Sequence, residues 1–265
     1  MHTRHPLRMR VASLCWLATA FSLFLAAPSI SRAGGLQASP ILLEFGNTQK
    51  SQTLWLTNTG EHPLRAQIRV QQWTQFDQED RLQPSNALLA SPPLVEIAAG
   101  QKQLVRVVQA AAPGTNANEA AFRLIVDELP GGAETVTSGL QFLLSYSIPA
   151  FVLPPGSVPQ LERQGPYIPT DAQLLQGHWN VQGKKATLTV RNTGNQRIRI
   201  SQLSWVTTAG ERMDIAPGLF GYVLAGQQMR WTHTLPSPLP ANGTLSAKLN
   251  DDPEPQALPQ ITTGP

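Results

Sequence analysis

Cysteine is almost absent from this chain, since its 265 residues include only Cys15. That residue lies in an apolar N-terminal stretch and has no second thiol with which to pair. Disulfide bonds, thiol chemistry and cysteine-ligated zinc are therefore not expected in the rest of the chain.

Charge is also sparse, because only 14% of the residues are Asp, Glu, Lys or Arg. Four basic residues, Arg4, Arg8, Arg10 and Arg32, lie within the first 33 positions. Without that segment Lys+Arg falls from 20 to 16 against 17 acidic residues, so the formal net charge changes from +3 to −1. A nearly neutral chain gives no support for a nucleic-acid partner.

Motifs for catalysis and metal binding are missing as well. The three histidines outside the first 33 residues, His62, His178 and His233, lie in separate segments. No nucleophile elbow, phosphate loop or zinc-protease motif is present. Carboxylates cluster at 77–80, 127–128 and 251–254, where we expect solvated loops, although a paired-carboxylate glycosidase site stays open. We predict no catalytic residue, metal site or cofactor, and no enzyme.

Residues 1–33 have the pattern of a cleaved signal peptide. Arginines precede the apolar stretch Val11–Ala27, and Ser31-Arg32-Ala33 places small residues where signal peptidase cleaves. Export with cleavage before Gly34 is the prediction, and an uncleaved membrane anchor is the alternative. No later apolar stretch reaches the roughly 20 residues of a membrane helix, so the mature chain is expected to have no membrane span.

Short alternating runs follow from Leu36 onward and predict β-strands. Polar and apolar residues alternate through Ser51–Asn58 and again through Arg65–Val70, and Asn58-Thr59-Gly60 between them is typical of a hairpin turn. Residues 92–110 read as strand, turn and strand, and residues 119–130 as one more strand. About seven strands within residues 36–154 predict an immunoglobulin-like sandwich.

A second unit repeats this pattern after the boundary at Pro154-Pro155-Gly156. Residues 184–205 again show an alternating strand, an Asn-Thr-Gly turn and an arginine-containing strand, and Ala241–Thr244 predicts another hairpin turn. The predicted fold class is therefore all-β, with two immunoglobulin-like β-sandwich domains. We place their bounds at residues 34–155 and 156–265.

The stretch Leu140–Val152 is apolar and contains no charge. Residues on a strand alternate between its two sides, so one side carries a row that we call the donor row. The donor row consists of Leu140, Phe142, Leu144 and Tyr146, and Ile148 continues it. The pattern is typical of the last core strand of a domain, and it also suits a strand offered to a partner; both hold if one end is core and the other exposed.

Several segments resemble the periplasmic pilus chaperones of the PapD-like family over roughly residues 37–155. SPPLVEIAAGQKQLVRVV, residues 91–108, resembles their T-P-P strand and the arginine-containing strand after it. EAAFRLIVDELP, residues 119–130, is similar to their E-S-L-F-x-x-N-x-x-E-I-P strand. Trp73 falls where these chaperones keep a core tryptophan. Similarity in the second domain is limited to architecture.

This resemblance implies a periplasmic chaperone that works without ATP. Such a protein binds a pilus subunit by donating a strand and delivers it to an outer-membrane usher, and the donor row would be the subunit-binding strand. An exposed apolar row is also prone to self-association, so a dimer that caps the row is a further expectation. The alternatives are a secreted immunoglobulin-like structural or adhesive protein and an extracellular carbohydrate-active enzyme.

The chain departs from the family where the subunit carboxylate is usually held. Leu42 stands at the position of the family's first-strand arginine, and Pro149 at that of its donor-strand lysine. Phe151-Val152-Leu153-Pro154 likewise lacks the arginine of the closing F-Y-R-P motif. We name Arg123 and then Arg106 as candidate carboxylate anchors. These departures indicate a divergent branch, serving archaic or spore-coat-type subunits.

Overall fold

The structure is a computed structural model that describes residues 35–46, 48–110, 117–130, 142–240 and 242–263. The predicted signal peptide and Leu140 of the donor row lie outside these residues. Among the described residues, no helix is long and apolar enough to cross a membrane.

Strands dominate the described residues, with two short 3-10 turns between the two halves of the chain. The first half contains β1 (Leu36–Ser39), β2 (Leu43–Phe45), β3 (Ser51–Asn58), β4 (Leu64–Phe76), β5 (Glu79–Pro84), β6 (Leu88–Ser91), β7 (Leu94–Ile97), β8 (Lys102–Gln109), β9 (Ala120–Leu129) and β10 (Ser145–Val152). The turns are Gln160–Glu162 and Ala172–Leu174. The second half contains β11 (Leu175–Gln182), β12 (Lys185–Asn192), β13 (Ile198–Thr207), β14 (Arg212–Val223), β15 (Gln228–Thr234), β16 (Gly243–Leu249), β17 (Gln256–Ala257) and β18 (Ile261–Thr263).

Each half forms a sandwich of two sheets. In the first, β1-β3-β8-β6 face β2-β10-β9-β4-β5, with β7 added beside β4. In the second, β15-β12-β11-β18 face β14-β13-β16-β17. Alternating residues of the facing sheets form one apolar core in each sandwich. The predicted class, two immunoglobulin-like sandwiches, is confirmed, and the first contains ten described strands where the sequence indicated about seven.

The strands predicted at 92–110 and 119–130 are confirmed as β7, β8 and β9. The hairpin predicted at Asn58-Thr59-Gly60 is wrong, because β3 and β4 lie in different sheets. The buried Asn58 amide donates to the carbonyl oxygens of His62 and Ile97, over 2.8 and 2.9 Å. These bonds stabilise a corner at which the chain crosses to the facing sheet, instead of a hairpin that returns along the same sheet.

The second sandwich repeats this corner. The buried Asn192 amide donates to the carbonyl oxygens of Gln196 and Val223, over 2.7 and 3.0 Å, and its oxygen accepts from the Gly194 N–H over 2.8 Å. Strands β12 and β13 again lie in different sheets, as do β15 and β16 beside Asn242, so the hairpin predicted at Ala241–Thr244 is also wrong.

The carboxylates expected in solvent divide between the surface and the interior. Asp252 is buried and accepts hydrogen bonds from Tyr167, Thr170 and Gln256. Burial and the contact with Asp252 raise the pKa of the Tyr167 hydroxyl to about 12. Asp252 is therefore a structural carboxylate that holds the segment between the sandwiches, since a buried charge needs several donors.

Candidate functional site

Strand β10 differs along its length in how it is paired. One side is antiparallel to β9 from Ser145 to Val152. On the other side β2 is the only described strand that pairs with it, in parallel, and that pairing covers Ala150–Val152 alone. We call the unpaired side from Ser145 to Pro149 the open edge.

Two hydrogen bonds establish which backbone groups face the open edge. The Glu128 N–H donates to the Leu144 carbonyl over 2.8 Å, and the Leu153 N–H donates to the Phe45 carbonyl of β2 over 2.9 Å. Even-numbered residues of β10 therefore bond to β9, and odd-numbered residues bond to the other side. The odd-numbered residues of the open edge are Ser145, Ser147 and Pro149.

The side chains of the row pass from buried to exposed toward the start of β10. Ile148 is 3% exposed and belongs to the first core. Tyr146 packs against that core, and its hydroxyl donates to the Leu36 carbonyl over 2.6 Å. Leu144 is 39% exposed and Phe142 is 76% exposed. The described part of the donor row therefore presents apolar surface only at Leu144 and Phe142, while Tyr146 supports the core.

Hydrogen bonds hold the start of β10 in place. The Ser145 hydroxyl donates to Asp127 Oδ1 over 2.6 Å, and Asp127 also forms an ion pair with Arg69. The hydrogen bond from Ser145, together with Arg69, holds the pKa of the Asp127 carboxyl below its ordinary value. The open edge is therefore an ordered strand even though no described strand pairs with it on one side.

Arg123 lies directly across from Pro149 on β9. Its guanidinium carbon is 3.8 Å from the centre of the Trp73 ring and 5.7 Å from that of Tyr222. Burial holds the pKa of the guanidinium below its ordinary value, although Tyr222 and Asp80 act in the opposite direction. It donates to the Ser147 carbonyl over 3.3 Å and forms no ion pair with any described residue.

Arg106, the second candidate anchor, is not brought to this place. It is exposed on β8, where it pairs with Thr53 of β3 and Ser91 of β6. Its neighbours Val105 and Val107 face the core, so Arg106 faces solvent on the sheet that does not contain β10. Of the two candidate anchors, only Arg123 therefore lies beside the open edge.

Comparison with known proteins identifies the first sandwich. Residues 35–157 match the family described as pili and flagellar-assembly chaperone, PapD N-terminal domain. The first sandwich is therefore an N-terminal domain of the PapD-like chaperone family. No curated protein matches it significantly by sequence.

Solved structures of similar fold include several chaperones. One is the CsuC chaperone with the CsuE tip adhesion subunit of archaic Csu pili from Acinetobacter baumannii, at TM-score 0.62 and 24% identity, covering 87% of this chain and 99% of the other. The Pseudomonas aeruginosa CupB2 chaperone matches at 0.53 and 16%, covering 83% and 97%. The Salmonella enterica SafB chaperone with SafA pilin matches at 0.55 and 17%, covering 86% and 97%. At these identities the likeness shows the fold of both sandwiches.

An ion-pair cluster that the sequence did not reveal joins the two sandwiches. Arg197, just before β13, pairs with Glu119 over 2.6 Å and with Glu44 of β2. Its guanidinium carbon lies 3.8 Å from the centre of the Phe151 ring. All three charged side chains are largely buried, with 10% or less of each exposed.

The charges of this cluster do not cancel. Burial opposes the charge of Arg197, but Glu119 and Glu44 outweigh it, so the pKa of the guanidinium lies above its ordinary value. Burial raises the pKa of Glu119, and Arg197 offsets this only in part. Both pKa shifts follow because one guanidinium faces two carboxylates. A buried cation from the second sandwich thus pairs with two carboxylates of the first.

Gln75 forms a further polar contact between the sandwiches. Its amide donates to the Tyr222 carbonyl over 2.7 Å and accepts from the Leu224 N–H over 2.9 Å. Trp73 and Phe151 pack against Tyr222 beside it. Nothing in the sequence pairs Gln75 with residues about 150 positions later, so only the fold reveals this contact.

Proposed function

We propose that the mature protein is a periplasmic chaperone that binds pilus subunits by strand addition along β10. The half-paired state of this strand carries the proposal: Ala150–Val152 is held by β2, whereas Ser145–Pro149 is ordered and lacks a neighbour among the described strands. Strand addition needs an exposed edge for main-chain hydrogen bonds and alternating side chains for the partner's pockets. The similar structures of CsuC with CsuE and of SafB with SafA support a pilin-like partner.

Phe142 and Leu144 would supply the apolar part of binding. Each is a large apolar side chain at the exposed end of the donor row. Burying each one contributes about 1.5–3 kcal/mol before the costs of ordering and association. We include Leu140 in the same role because it continues their alternation, while Tyr146 would hold the row against the first core.

Arg123 would bind a carboxylate of the subunit. It is a half-buried cation without an ion-pair partner among the described residues, and it lies across from Pro149 at one end of the open edge. A guanidinium in such surroundings binds carboxylates strongly. Arg123→Gln should weaken the complex about 10-fold or more, and the loss should vanish when the subunit's terminal carboxylate is amidated. An equal loss with both subunits would contradict this role.

The decisive experiment coexpresses residues 34–265 with pilin-like subunits and measures the recovery of a one-to-one complex. The double variant Phe142→Asp, Leu144→Asp should abolish the complex while the free protein keeps its thermal unfolding temperature. Leu143→Asp is the matched control, because Leu143 is 43% exposed and alternation directs it to the other side of the strand. It should retain binding.

Two outcomes would overturn the proposal. Retained binding by the double variant would contradict strand donation by the row. Unfolding of the first sandwich in that variant would favour a structural or adhesive protein in which these residues are core.

Delivery and location follow from the same proposal. The subunit complex would pass to an outer-membrane usher, and the protein would work in the periplasm after removal of residues 1–33. In the absence of subunit, two copies would cap each other's open edge, since an exposed apolar edge favours association. A monomer at all concentrations in sedimentation experiments would exclude this capped dimer.

A further inference from the structure

Pro149 has no N–H, so it leaves a gap in the row of backbone donors on the outward side of β10. Because odd-numbered residues face that side, the proline nitrogen stands where an N–H would otherwise point outward. The ladder to β9 loses nothing, since it uses the even-numbered residues. Proline is tolerated in a sheet at such positions because no ladder bond is lost there.

The pairing of the outward side of β10 changes at this residue. On one side of Pro149, Phe151 and Leu153 are engaged by β2. On the other side, the N–H groups of Ser145 and Ser147 point outward with no described strand beside them. The outward carbonyl of Ser147, beside Pro149, already accepts a hydrogen bond from Arg123.

We propose that Pro149 sets the register of the added strand by ending its hydrogen-bond ladder at Ser147. This inference rests on the proposed function and concerns how the same site selects its partner. Pro149 offers no donor, so a strand that bonds to Ser145 and Ser147 gains no further bond from an N–H at that position. The partner that fits is a strand whose last residue lies opposite Ser147, which leaves its terminal carboxylate near Arg123.

Register matters because side chains alternate along a strand. A slip of one residue moves every side chain of the added strand to its other side. A slip of two residues keeps the sides but moves each side chain to the next pocket. A fixed end at Pro149 would therefore decide which residues of the subunit face Leu144 and Phe142.

Cysteine crosslinking can measure the register, because the mature chain contains no cysteine. Ser147→Cys in the full mature chaperone is combined with single cysteines at each of the last six positions of a subunit's final strand. The wild-type background should give one dominant crosslinked position. Pro149→Ala should add a second position two residues away, with comparable yield. Pro155→Ala, an exposed proline beyond β10, is the matched control and should change nothing.

A converse variant tests the claim without relying on the folding of Pro149→Ala. Ser147→Pro places the interruption two residues earlier, so crosslinks from Ser145→Cys should move by two subunit positions. An unchanged single crosslink in both variants would overturn the inference and show that β2 alone ends the added strand. Failure of the wild-type chain to form any complex would instead overturn the proposed function.

Discussion

Each sandwich contains a corner built around a buried asparagine, but the two sandwiches differ in a later strand. Asn58 and Asn192 each bridge two carbonyl groups and accept one N–H. By contrast, β10 pairs with β9 over eight residues, whereas β17, which pairs with the corresponding β16, has two. The corner is needed to build a sandwich, and it is kept in both; the long half-paired strand is not needed, since the second sandwich folds with only a short one.

Under the proposed function, this difference separates the contacts that stabilise the molecule from the strand that would bind a subunit. The second sandwich contributes Arg197 and the backbone groups that meet Gln75, and so fixes the platform on which β10 lies. The first sandwich presents the open edge of β10, with the apolar side chains of Leu144 and Phe142 beside it. We therefore expect changes in the second sandwich to affect stability and changes at β10 to affect binding.

The largest effect should come from Arg197, where the two sandwiches depend on each other. Arg197→Met leaves Glu44 and Glu119 buried without a cation, which should lower the free energy of unfolding by about 3–5 kcal/mol. Urea denaturation measures the loss. Adding Glu44→Gln and Glu119→Gln should restore most of it. Arg199→Met is the control two residues along, because its ion pair with Asp251 is partly exposed to solvent and such pairs are worth about 1 kcal/mol or less.

An equal loss for Arg197→Met and Arg199→Met would contradict this account of the buried cluster. It would mean that the sandwiches are stable without the charges that join them.

The two corner asparagines should give the next largest effect and test whether the corners are equivalent. Asn58→Ala and Asn192→Ala each leave buried carbonyl groups without a donor and should each cost about 2–4 kcal/mol. Amide exchange should show each loss in the sandwich that carries the variant. Asn58→Ala should also weaken subunit binding, whereas Asn192→Ala should not. Losses that differ more than threefold would break the equivalence.

The smallest effect concerns Asp127, which holds the start of β10. Its pKa is depressed in the folded protein, so its contribution is full above its unfolded pKa of about 3.9. That contribution is lost as pH falls through the lower folded pKa. The difference in unfolding free energy between wild type and Asp127→Asn should stay constant above pH 5 and shrink below about pH 4. A pH-independent difference would contradict the role of the charge.

Local pattern in the sequence predicted the strands and the duplication but not the sheets. Alternation located β3 and the first part of β4, because one face of each is buried. The Asn-Thr-Gly turns predicted hairpins, since turn chemistry alone does not show what the asparagine side chain contacts. In the fold Asn58 reaches Ile97, 39 residues away, and this contact sends the chain to the other sheet.

Of the candidate site, the sequence could predict the row and not its surroundings. Alternation alone placed Phe142 and Leu144 together on one side. Arg123 was ranked ahead of Arg106 because it lies on the strand expected to pair with the donor row; in the fold β9 does pair with β10, and β8 lies in the other sheet. Arg197 was missed because its partners lie in the other sandwich, 153 and 78 residues away.

The most direct test of strand addition is amide hydrogen exchange at Ser145 and Ser147, in the free protein and in the subunit complex. Both N–H groups point outward along the open edge, so both should exchange quickly in the free monomer and become strongly protected when the subunit binds. Protection in β17 should not change. A stable complex in which Ser145 and Ser147 exchange as quickly as in the free monomer would contradict the account.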